Sequence, residues 1–344
     1  MKYVLVTGGT GFIGSHTSLL LLNKNYNIII LDNLKNSKIE VLNNLKKLTK
    51  NNNIIFYERD LSDNLDDIFS TYNIDSVIHF AGLKAVKESI DNPLLYYNTN
   101  IFSTTNLLKT MEKYNCRKLI FSSSATVYGN AQPPLIENMV IGNGITNPYG
   151  QTKFMIERIL EDFSKINKNF NIIILRYFNP IGAHPSGLLG ENPNDVPNNL
   201  MPYLLKVAYK NNIDKKIQGY DYLSVFGNDY NTPDGTCIRD YIHVMDLAES
   251  HILSIEKINK MEKNLNIFNI GLGKGTSVIE LIHIFERVNN VKIPYKIIEK
   301  REGDLPVVYC DSNKCKTILG FSSKYSVEDM CKNSWNFKLK QAKP

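Results

Sequence analysis

The sequence lacks a disulfide framework. Its cysteines are five, an odd number, and no two form a C-x-x-C pair, the spacing typical of redox and zinc sites. We therefore expect free thiols in a reducing compartment, and no metal site is predicted. The cysteines are Cys116, Cys237, Cys310, Cys315 and Cys331.

Long hydrophobic runs are also missing. The apolar run at 19–22 is far shorter than the roughly 20 residues that cross a bilayer. Met1 leads straight into a strand-like segment, so no signal peptide is expected. The expectation is a cytoplasmic protein without a membrane partner.

A strong charge of one sign is absent as well. The net charge is +6, and the lysines are scattered among asparagines, which argues against a nucleic-acid-binding stripe and suits an anionic small-molecule substrate. With 344 residues and 43% hydrophobic residues, the chain has room for one large or two modest domains.

What the sequence does have is a glycine-rich turn between a strand and a helix. Residues 7–14 read Thr-Gly-Gly-Thr-Gly-Phe-Ile-Gly, after an apolar run at 3–6 and before a helical pattern at 15–22. The glycines allow a sharp turn, close approach of a pyrophosphate and tight helix–strand packing. The helix N-terminus then offers N–H groups to phosphates. This pattern predicts a dinucleotide site.

Asp32 indicates which dinucleotide. It ends the second apolar strand, about twenty residues after the glycines, where the fingerprint has an acid for the adenosine ribose. A carboxylate accepts hydrogen bonds from ribose hydroxyls and repels a 2′-phosphate. Neither Asn33 nor Leu34 supplies an arginine that would favour NADP. The predicted cofactor is NAD.

Strands and helices alternate through the first half, which predicts an α/β fold with a Rossmann-type doubly wound parallel sheet. Asp60-Leu61 follows the third strand and is either a neighbour of the adenine or a surface turn. Phe80-Ala-Gly82 follows the fourth strand, where small residues let the cofactor pass close by. We interpret His79 as a packed or hydrogen-bonded histidine.

Three residues predict the chemistry. Ser124 follows the fifth strand, and ligands bind at the carboxyl ends of such strands. Tyr149 and Lys153 open a predicted helix ending near residue 167, and at i and i+4 they share one face. An ammonium and a positive nicotinamide ring would lower the pKa of the phenol, so Tyr149 is the predicted general base and Ser124 its hydrogen-bond partner at the reacting oxygen.

The glycine turn, Asp32, Ser124 and the Tyr149/Lys153 pair together resemble the extended short-chain dehydrogenase/reductase family. Four further stretches resemble its UDP-hexose 4-epimerase branch, and the resemblance covers essentially the whole chain. They are His79-Phe-Ala-Gly-Leu-Lys84-Ala-Val, Phe121-Ser-Ser-Ser124-Ala-Thr-Val-Tyr-Gly129, Leu175-Arg-Tyr-Phe-Asn179-Pro-Ile-Gly-Ala-His-Pro-Ser186 and Arg239-Asp-Tyr-Ile-His-Val-Met-Asp-Leu247.

The resemblance implies two sets of contacts besides the catalytic Ser124, Tyr149 and Lys153. The first set would bind NAD and comprises Gly8, Gly11, Phe12, Ile13, Gly14, Asp32, Asn33, Asp60, Leu61, Phe80, Ala81, Gly82, Lys84, Asn100, Tyr149, Lys153 and Phe178. The second set would bind the UDP-sugar and comprises Lys84, Ser124, Tyr149, Asn179, Asn199, Leu200, Phe226, Arg239, Arg301, Asp304 and Val308.

Several members of the second set have an ordinary alternative interpretation. Asn199 is also placed to cap a helix that the pattern starts at Pro197. Arg239 and Arg301 suit a diphosphate because of their planar, permanently charged forks, but solvated surface arginines are the alternative. Asp304 resembles the residue that accepts from the uridine ribose.

The resemblance implies reversible C4 epimerisation of UDP-glucose and UDP-galactose, through a transient 4-keto sugar with tightly bound NAD, in galactose metabolism. Related 4,6-dehydratases place an Asp-Glu pair after the strand-end Ser or Thr, and uronate decarboxylases an acid at 126. This chain has Ala125-Thr126 there, which argues against both. A 4-epimerase of UDP-pentoses or UDP-uronates remains an alternative, and a non-catalytic NAD sensor is disfavoured because Ser124, Tyr149 and Lys153 occur together.

Substrate breadth is expected to depend on Val308. Relatives restricted to UDP-glucose and UDP-galactose tend to carry a tyrosine there, whereas those that accept N-acetylated sugars carry a smaller residue. Valine predicts a roomier pocket that also accepts UDP-GlcNAc and UDP-GalNAc, although Tyr309 beside it could fill the space.

The expected organisation is an NAD-binding domain at 1–178 and a smaller α/β UDP-sugar-binding domain at 179–344, with the segment at about 235–270 returning to the first. Residues 210–222 are interpreted as a surface insertion. The helices at 93–114 and 150–167 are expected to pair across a two-fold axis in a homodimer. The apolar set Phe154, Ile156 and Ile159 supports that surface, although internal packing explains it equally well.

Overall fold

Apolar runs rich in isoleucine, leucine and valine form most of the strands. The computed structural model of the chain describes residues 1–51, 53–193, 199–301 and 303–342. The strands are β1 (Tyr3–Thr7), β2 (Asn27–Asp32), β3 (Ile54–Glu58), β4 (Ile74–His79), β5 (Lys118–Ser124), β6 (Asn171–Tyr177), β7 (Asn179–Ile181), β8 (Leu223–Phe226), β9 (Ile238–His243), β10 (Leu265–Ile270), β11 (Gly275–Ser277), β12 (Tyr295–Ile298) and β13 (Val307–Val308).

The helices alternate with these strands. Between α5 and α6 the chain continues through a π-helical turn, Tyr97–Ile101, and a 3₁₀ turn, Ala125–Tyr128, follows β5. The helices are α1 (Phe12–Asn23), α2 (Glu40–Leu48), α3 (Asp66–Thr71), α4 (Val86–Asp91), α5 (Pro93–Tyr96), α6 (Phe102–Lys113), α7 (Pro148–Ile166), α8 (Leu200–Asn212), α9 (Val244–Lys257), α10 (Val278–Asn289) and α11 (Val327–Gln341).

Within the described residues, seven strands form one parallel sheet in the order β10–β6–β5–β4–β1–β2–β3. Strands β2 and β3 lie on one side of β1, and the chain then crosses to β4 on the other side. Ligands bind at the carboxyl ends of strands where the order reverses in this way. The predicted doubly wound α/β fold is confirmed.

The second half builds a smaller α/β unit. Strand β9 pairs with β7 and β13 in parallel and with β11 antiparallel, while β8 pairs with β12. Helices α8, α10 and α11 enclose a separate core that includes Leu204, Phe285 and Trp335. The helix that the sequence started at Pro197 begins at Leu200; Pro197 itself lies outside the described residues.

The late segment that returns to the first sheet is shorter than the sequence suggested. Strand β9 belongs to the second sheet, so the return starts at Val244 rather than at 235. Helix α9 packs against α1 through residues such as Leu247 and Ile252, and β10 then forms the edge of the large sheet beside β6.

Residues 210–222 also differ from the expected insertion. Helix α8 continues to Asn212, so only the following ten residues leave the regular structure. Their end is tied back to α8, because Lys206 Nζ donates to the Tyr220 hydroxyl at 3.1 Å and Lys210 contacts the Asp221 carboxylate.

The apolar residues of α7 that were predicted to support a dimer surface pack largely within the chain. Ile156 is 1% exposed and lies in the core beneath α7, and Ile159 packs against the same core. Phe154 packs beside Val127 and Phe178. Ile156 is therefore part of the internal core and gives no support to a dimer surface, whereas Phe154 and Ile159 remain partly exposed.

Among the described residues, no helix has the length and apolar composition required to cross a bilayer. All five cysteines are buried and free.

Candidate active site

The glycine turn closes tightly on itself and on the neighbouring strand. Gly8 has a φ of +69°, and a Cβ there would lie 2.8 Å from the Ala81 backbone nitrogen. A Cβ at Gly14 would collide with the Gly8 carbonyl oxygen. A side chain at either position would clash with neighbouring backbone. The two glycines therefore allow the turn to close in the predicted way.

Helix α1 starts earlier than the predicted 15–22 segment, and its N-terminus carries no side-chain cap. Gly11 is the N-cap residue and Phe12 the first helical residue. The orphan N–H groups and the positive end of the helix dipole therefore face the opening of the turn. This arrangement suits a phosphate group.

Asp32 is held rigidly beside the turn. Its carboxylate accepts hydrogen bonds from the Thr10 N–H at 3.1 Å, the Leu34 N–H at 3.0 Å and the Ser37 hydroxyl at 3.0 Å. The residue is only 8% exposed, and its remaining acceptor capacity faces the cleft. Next to it, the Asn33 amide donates to Asp60 at 2.7 Å.

These elements line one cleft with a cavity volume of about 550 Å³, hereafter the glycine-loop cleft. It brings together most of the predicted cofactor residues. Those that line it are Gly8, Gly11, Phe12, Ile13, Gly14, Asp32, Asn33, Asp60, Leu61, Phe80, Ala81, Gly82, Lys84, Tyr149 and Lys153. Asn199, predicted for the substrate, also lines the cleft. The uncapped helix, the glycine cradle and the fixed carboxylate together fit a dinucleotide.

Tyr149 and Lys153 lie at the inner end of the cleft. The Lys153 ammonium donates to the Ser122 carbonyl oxygen at 2.7 Å and is 5.9 Å from the centre of the Tyr149 ring. The Ser124 hydroxyl lies near enough to the Tyr149 phenol to lower its pKa. The three residues predicted to be catalytic are therefore neighbours, and the Asn147 side chain caps their helix by accepting from the Gly150 N–H at 2.8 Å.

The ionisation of the pair differs from the expectation that Lys153 lowers the pKa of the phenol. The pKa of Tyr149 is raised to about 12, because burial raises it by more than the nearby Ser124 hydroxyl lowers it. Burial also lowers the pKa of Lys153 to about 8, while Glu157 raises it. Burial is the largest cause of both shifts, because it disfavours the charged form of each group.

His79 and Asn100 hold the wall of the cleft. His79 is buried between the hydroxyls of Thr7 at 2.8 Å and Thr104 at 3.0 Å, and burial lowers its pKa to about 3. The interpretation as a hydrogen-bonded histidine is confirmed. Asn100, on the π-helical turn, accepts from the Leu83 N–H at 2.8 Å and donates to the Leu83 carbonyl at 3.0 Å.

An ion pair spans the outer part of the cleft. The Lys84 ammonium is 2.8 Å from the Glu191 carboxylate, which also accepts from the Asn199 amide at 3.3 Å. Asn199 occupies the N-cap position of α8 but makes no capping hydrogen bond with its side chain. Its alternative interpretation as an ordinary capping residue is therefore not supported.

The remaining substrate residues form a second group, the Arg239 cluster: Phe226, Arg239, Arg301, Asp304 and Val308. The Arg301 guanidinium lies 3.7 Å from the centre of the Phe226 ring. Arg239 is 3.5 Å from the Asp304 carboxylate and pairs with Val308 across β9 and β13. Arg239 is half-buried, whereas Arg301 is exposed with its guanidinium over the Phe226 ring.

The Arg239 cluster adjoins the catalytic residues. Val308 packs against Phe178, Val127 and Tyr128, in the segment that directly follows Ser124. The loop between Arg301 and Asp304 approaches the start of α7, where a Cβ on Gly303 would lie 2.9 Å from Thr146.

Some predicted residues lie outside the cleft lining in the part of the chain that the structure describes. Asn100 and Phe178 are buried, Asn179 is exposed at the start of β7 and Leu200 begins α8. Ser124 is not in the cleft lining, but it neighbours Tyr149, which is. Of the predicted substrate residues, Lys84, Tyr149 and Asn199 line the cleft.

Sequence reasoning missed Tyr177 and Glu191, both of which line the cleft. The Tyr177 hydroxyl is buried and has no hydrogen-bond partner in the described residues. Burial and the nearby Tyr149 raise its pKa well above the usual value. Its place at the carboxyl end of β6 was a usable signal, whereas nothing in the sequence linked Glu191 to Lys84.

Comparison with known families and proteins gives a consistent result. Residues 5–334 match the family model described as GDP-mannose 4,6 dehydratase. The UDP-glucose 4-epimerase of Bacillus subtilis (strain 168) is 48% identical over 337 residues, covering 97% of this chain and 96% of that protein.

Two solved structures are similar throughout. The UDP-glucose 4-epimerase of Bifidobacterium longum, crystallised with NAD+ and UDP, has a TM-score of 0.91 at 44% identity and covers 98% of each chain. The UDP-Glc/GlcNAc 4-epimerase of Campylobacter jejuni has a TM-score of 0.82 at 34% identity and covers 99% of this chain and 100% of that one.

Proposed function

The chain belongs to the UDP-glucose 4-epimerase family of NAD-dependent isomerases, within the extended short-chain dehydrogenases/reductases, and from this premise we propose that it interconverts UDP-glucose and UDP-galactose at C4. The observation that carries the proposal is the meeting of Tyr149, Lys153 and Ser124 at the inner end of the glycine-loop cleft. The same arrangement supports a place in galactose metabolism.

We propose that residues 1–178 hold NAD and residues 179–344 the UDP-sugar, with 244–270 added to the first unit. Gly8, Gly11 and Gly14 would accept the pyrophosphate, and Asp32 the adenosine ribose. When bound, NAD would supply a reversible hydride acceptor for C4 of the sugar, and its positive nicotinamide ring would add to the charge of Lys153.

Tyr149 is the proposed general base and acid. Ser124 lies close enough to the phenol to lower its pKa, and its hydroxyl would also bond the sugar 4-oxygen. The raised pKa of the phenol means that positive charge is required before it can take a proton near neutral pH. Lys153 supplies such a charge because its ammonium is fixed on the Ser122 carbonyl oxygen.

The Arg239 cluster is the proposed anchor for UDP. Arg239 and Arg301 would bind the diphosphate and Asp304 the uridine ribose, with Phe226 holding the Arg301 guanidinium over its ring face. Binding energy from this remote group would keep the oxidised sugar in place while it turns over. Asn179, Asn199 and Leu200 complete the proposed sugar contacts.

The turn after Ser124 supports epimerisation over dehydration. Ala125–Tyr128 forms a 3₁₀ turn, and the Ser124 hydroxyl accepts from the Thr126 N–H at 3.2 Å. The turn carries no carboxylate beside the Tyr149 phenol, and an acid there would be needed to move the additional protons of dehydration or decarboxylation. The matched family model is described as a dehydratase, and this description differs from the reaction proposed for this chain.

The test is a panel of UDP-sugars incubated with purified protein and separated by chromatography. We expect rapid interconversion of UDP-glucose and UDP-galactose without added NAD and without accumulation of NADH. NADH forming in step with product would indicate an ordinary dehydrogenase instead. Faster turnover of a UDP-pentose or UDP-uronate would assign the site to the alternative substrate class.

A further inference from the structure

A buried ion pair lies directly behind the Tyr149–Lys153 pair. Glu157 follows Lys153 by four residues and Tyr149 by eight, so all three share the face of α7 that packs on the large sheet. The side chain of Glu157 is 0% exposed and that of its partner Arg176 is 2% exposed. Neither residue has a role in the proposed reaction.

One carboxylate ties three elements together. Arg176 Nε donates to the two Glu157 oxygens at 3.0 and 3.1 Å, and Nη2 donates to one of them at 2.6 Å. The Ser123 hydroxyl donates to the same carboxylate at 2.5 Å. Ser123 and Arg176 are register partners on β5 and β6, so Glu157 fixes α7 on both strands at one level.

The Ser123–Arg176 pair precedes the reacting groups by one residue along β5 and β6. The next register pair along β5 and β6 is Ser124 with Tyr177, and both lie beside Tyr149. A shift of α7 along the strands would therefore move the Tyr149 phenol relative to the Ser124 hydroxyl. A displacement of about 1 Å at such a site costs roughly 10²-fold in rate.

Arg176 also reaches the turn after Ser124. Its Nη1 donates to the Tyr128 hydroxyl at 3.0 Å and to the Glu137 carbonyl at 3.3 Å. Tyr128 in turn donates to Asn269 on β10 at 2.7 Å. The network thus holds both sides of Ser124 in one arrangement.

The charge of Glu157 matters as well as its position. Lys153 faces the Tyr149 ring on its own helix, the Ser122 carbonyl on β5 and neutral His79 on β4. Burial lowers the pKa of Lys153 to about 8, and Glu157 is the group that raises it. Arg176 and Tyr177 face this region from β6, and the Arg176 guanidinium pairs with Glu157.

We propose that Glu157, held by Arg176 and Ser123, is a positioning residue that sets Tyr149 against Ser124 and keeps Lys153 charged. This inference rests on the proposed function, because it concerns the same reaction. Glu157 belongs to neither predicted ligand set, so its loss should change kcat and leave KM unaltered.

The test compares Glu157→Gln and Glu157→Asp with the wild-type enzyme. Glu157→Gln removes the charge, so kcat should fall about 10²-fold with little change in KM. Lys153 should lose its proton at lower pH, and the alkaline limb of the kcat profile should move down by about one unit. Glu157→Asp keeps the charge but not the reach, so kcat should fall while the alkaline limb stays in place.

Glu161→Gln is the matched control, since Glu161 lies on the same helix in an exposed pair with Arg158. Its kcat and pH profile should equal those of the wild type. A single buried charge left without its partner destabilises a fold, so the double variant Glu157→Gln/Arg176→Gln carries the test if Glu157→Gln does not fold. Circular dichroism and Tm establish folding in each case.

Two results would overturn the inference. One is a folded Glu157→Gln or double variant with wild-type kcat and pH profile. The other is a loss of kcat in Glu157→Gln with a proportional rise in KM and no movement of the alkaline limb, which indicates a general loosening. Absence of epimerase activity in the wild type would instead refute the proposed function itself.

Discussion

The Lys84 ammonium lies 2.8 Å from the Glu191 carboxylate, although 107 residues separate them in the chain. Lys84 follows β4 in the first unit, and Glu191 lies in the segment after β7. The lysine side chain is 54% exposed and that of the glutamate 12%. A cation proposed to bind an anionic ligand is thus already paired with a carboxylate of the chain.

This pairing predicts that Glu191→Gln strengthens the binding of UDP. The variant removes a negative charge that competes for Lys84, and exposed pairs of this kind are worth about 0.2–1 kcal/mol. Affinity should therefore rise by about 1.4- to 5-fold in isothermal titration calorimetry. Glu256→Gln is the matched control, because Glu256 forms a similar 2.8 Å pair with Lys24 away from the cleft. Weaker binding would mean that Glu191 holds Lys84 in place for the ligand.

Tyr149→Phe should retain bound NAD and lose turnover. The substitution removes only the hydroxyl that exchanges a proton with the sugar, and general acid–base groups contribute about 10²–10⁴-fold. Cofactor content would be measured after denaturing release, and kcat by chromatography. Tyr57→Phe serves as the control, because the Tyr57 hydroxyl donates to the Tyr72 hydroxyl at 3.4 Å and Tyr57 belongs to neither predicted ligand set. Near-normal kcat in Tyr149→Phe would remove this residue from the mechanism.

Val308 predicts the breadth of the substrate range. Its side chain is half-buried beside Phe178 and Tyr128 and leaves more room for a sugar 2-substituent than a tyrosine would. We expect the wild type to interconvert UDP-GlcNAc and UDP-GalNAc as well as the unsubstituted sugars. Val308→Tyr should suppress the N-acetylated pair and keep activity on UDP-galactose. A wild-type enzyme that leaves both N-acetylated sugars untouched would refute the argument.

A homodimer remains the prediction, now on a different set of residues. Exposed apolar side chains are concentrated on α4 to α7: Val86, Ile90, Leu94, Leu95, Phe102 and Met155. Leu94 is 74% exposed and Phe102 53% exposed, and large exposed apolar groups together mark interfaces. Leu94→Glu/Phe102→Glu should convert the dimer to a monomer in sedimentation analysis. A monomeric wild type at micromolar concentration would exclude the proposal.

Local spacing accounts for the site features that the sequence predicted well. Tyr149 and Lys153 needed only the period of one helix, and Ser124 needed only the rule that ligands meet strand ends. The same limitation explains the error at Ile156, because helical periodicity identifies an apolar face without saying whether the core or a second chain covers it.

Long-range contacts and ionisation could not be obtained in this way. The stacking of Arg301 on Phe226 and the pairing of Lys84 with Glu191 depend on loops whose approach no spacing encodes. The raised pKa of Tyr149 depends on how completely protein surrounds the phenol. Desolvation is a property of the folded environment. A sequence pattern can therefore identify the ionisable neighbours of Tyr149, but it cannot predict whether they or burial dominate its pKa.

The position of β10 at the edge of the large sheet has a consequence for how the chain is made. Residues 265–270 emerge from the ribosome long after β6, which they cover in the sheet. Until then β6 presents open backbone groups, which invite pairing with other chains. A nascent fragment ending near residue 178 would therefore be prone to aggregate, and the first unit matures only after residues 179–243 of the second have been translated.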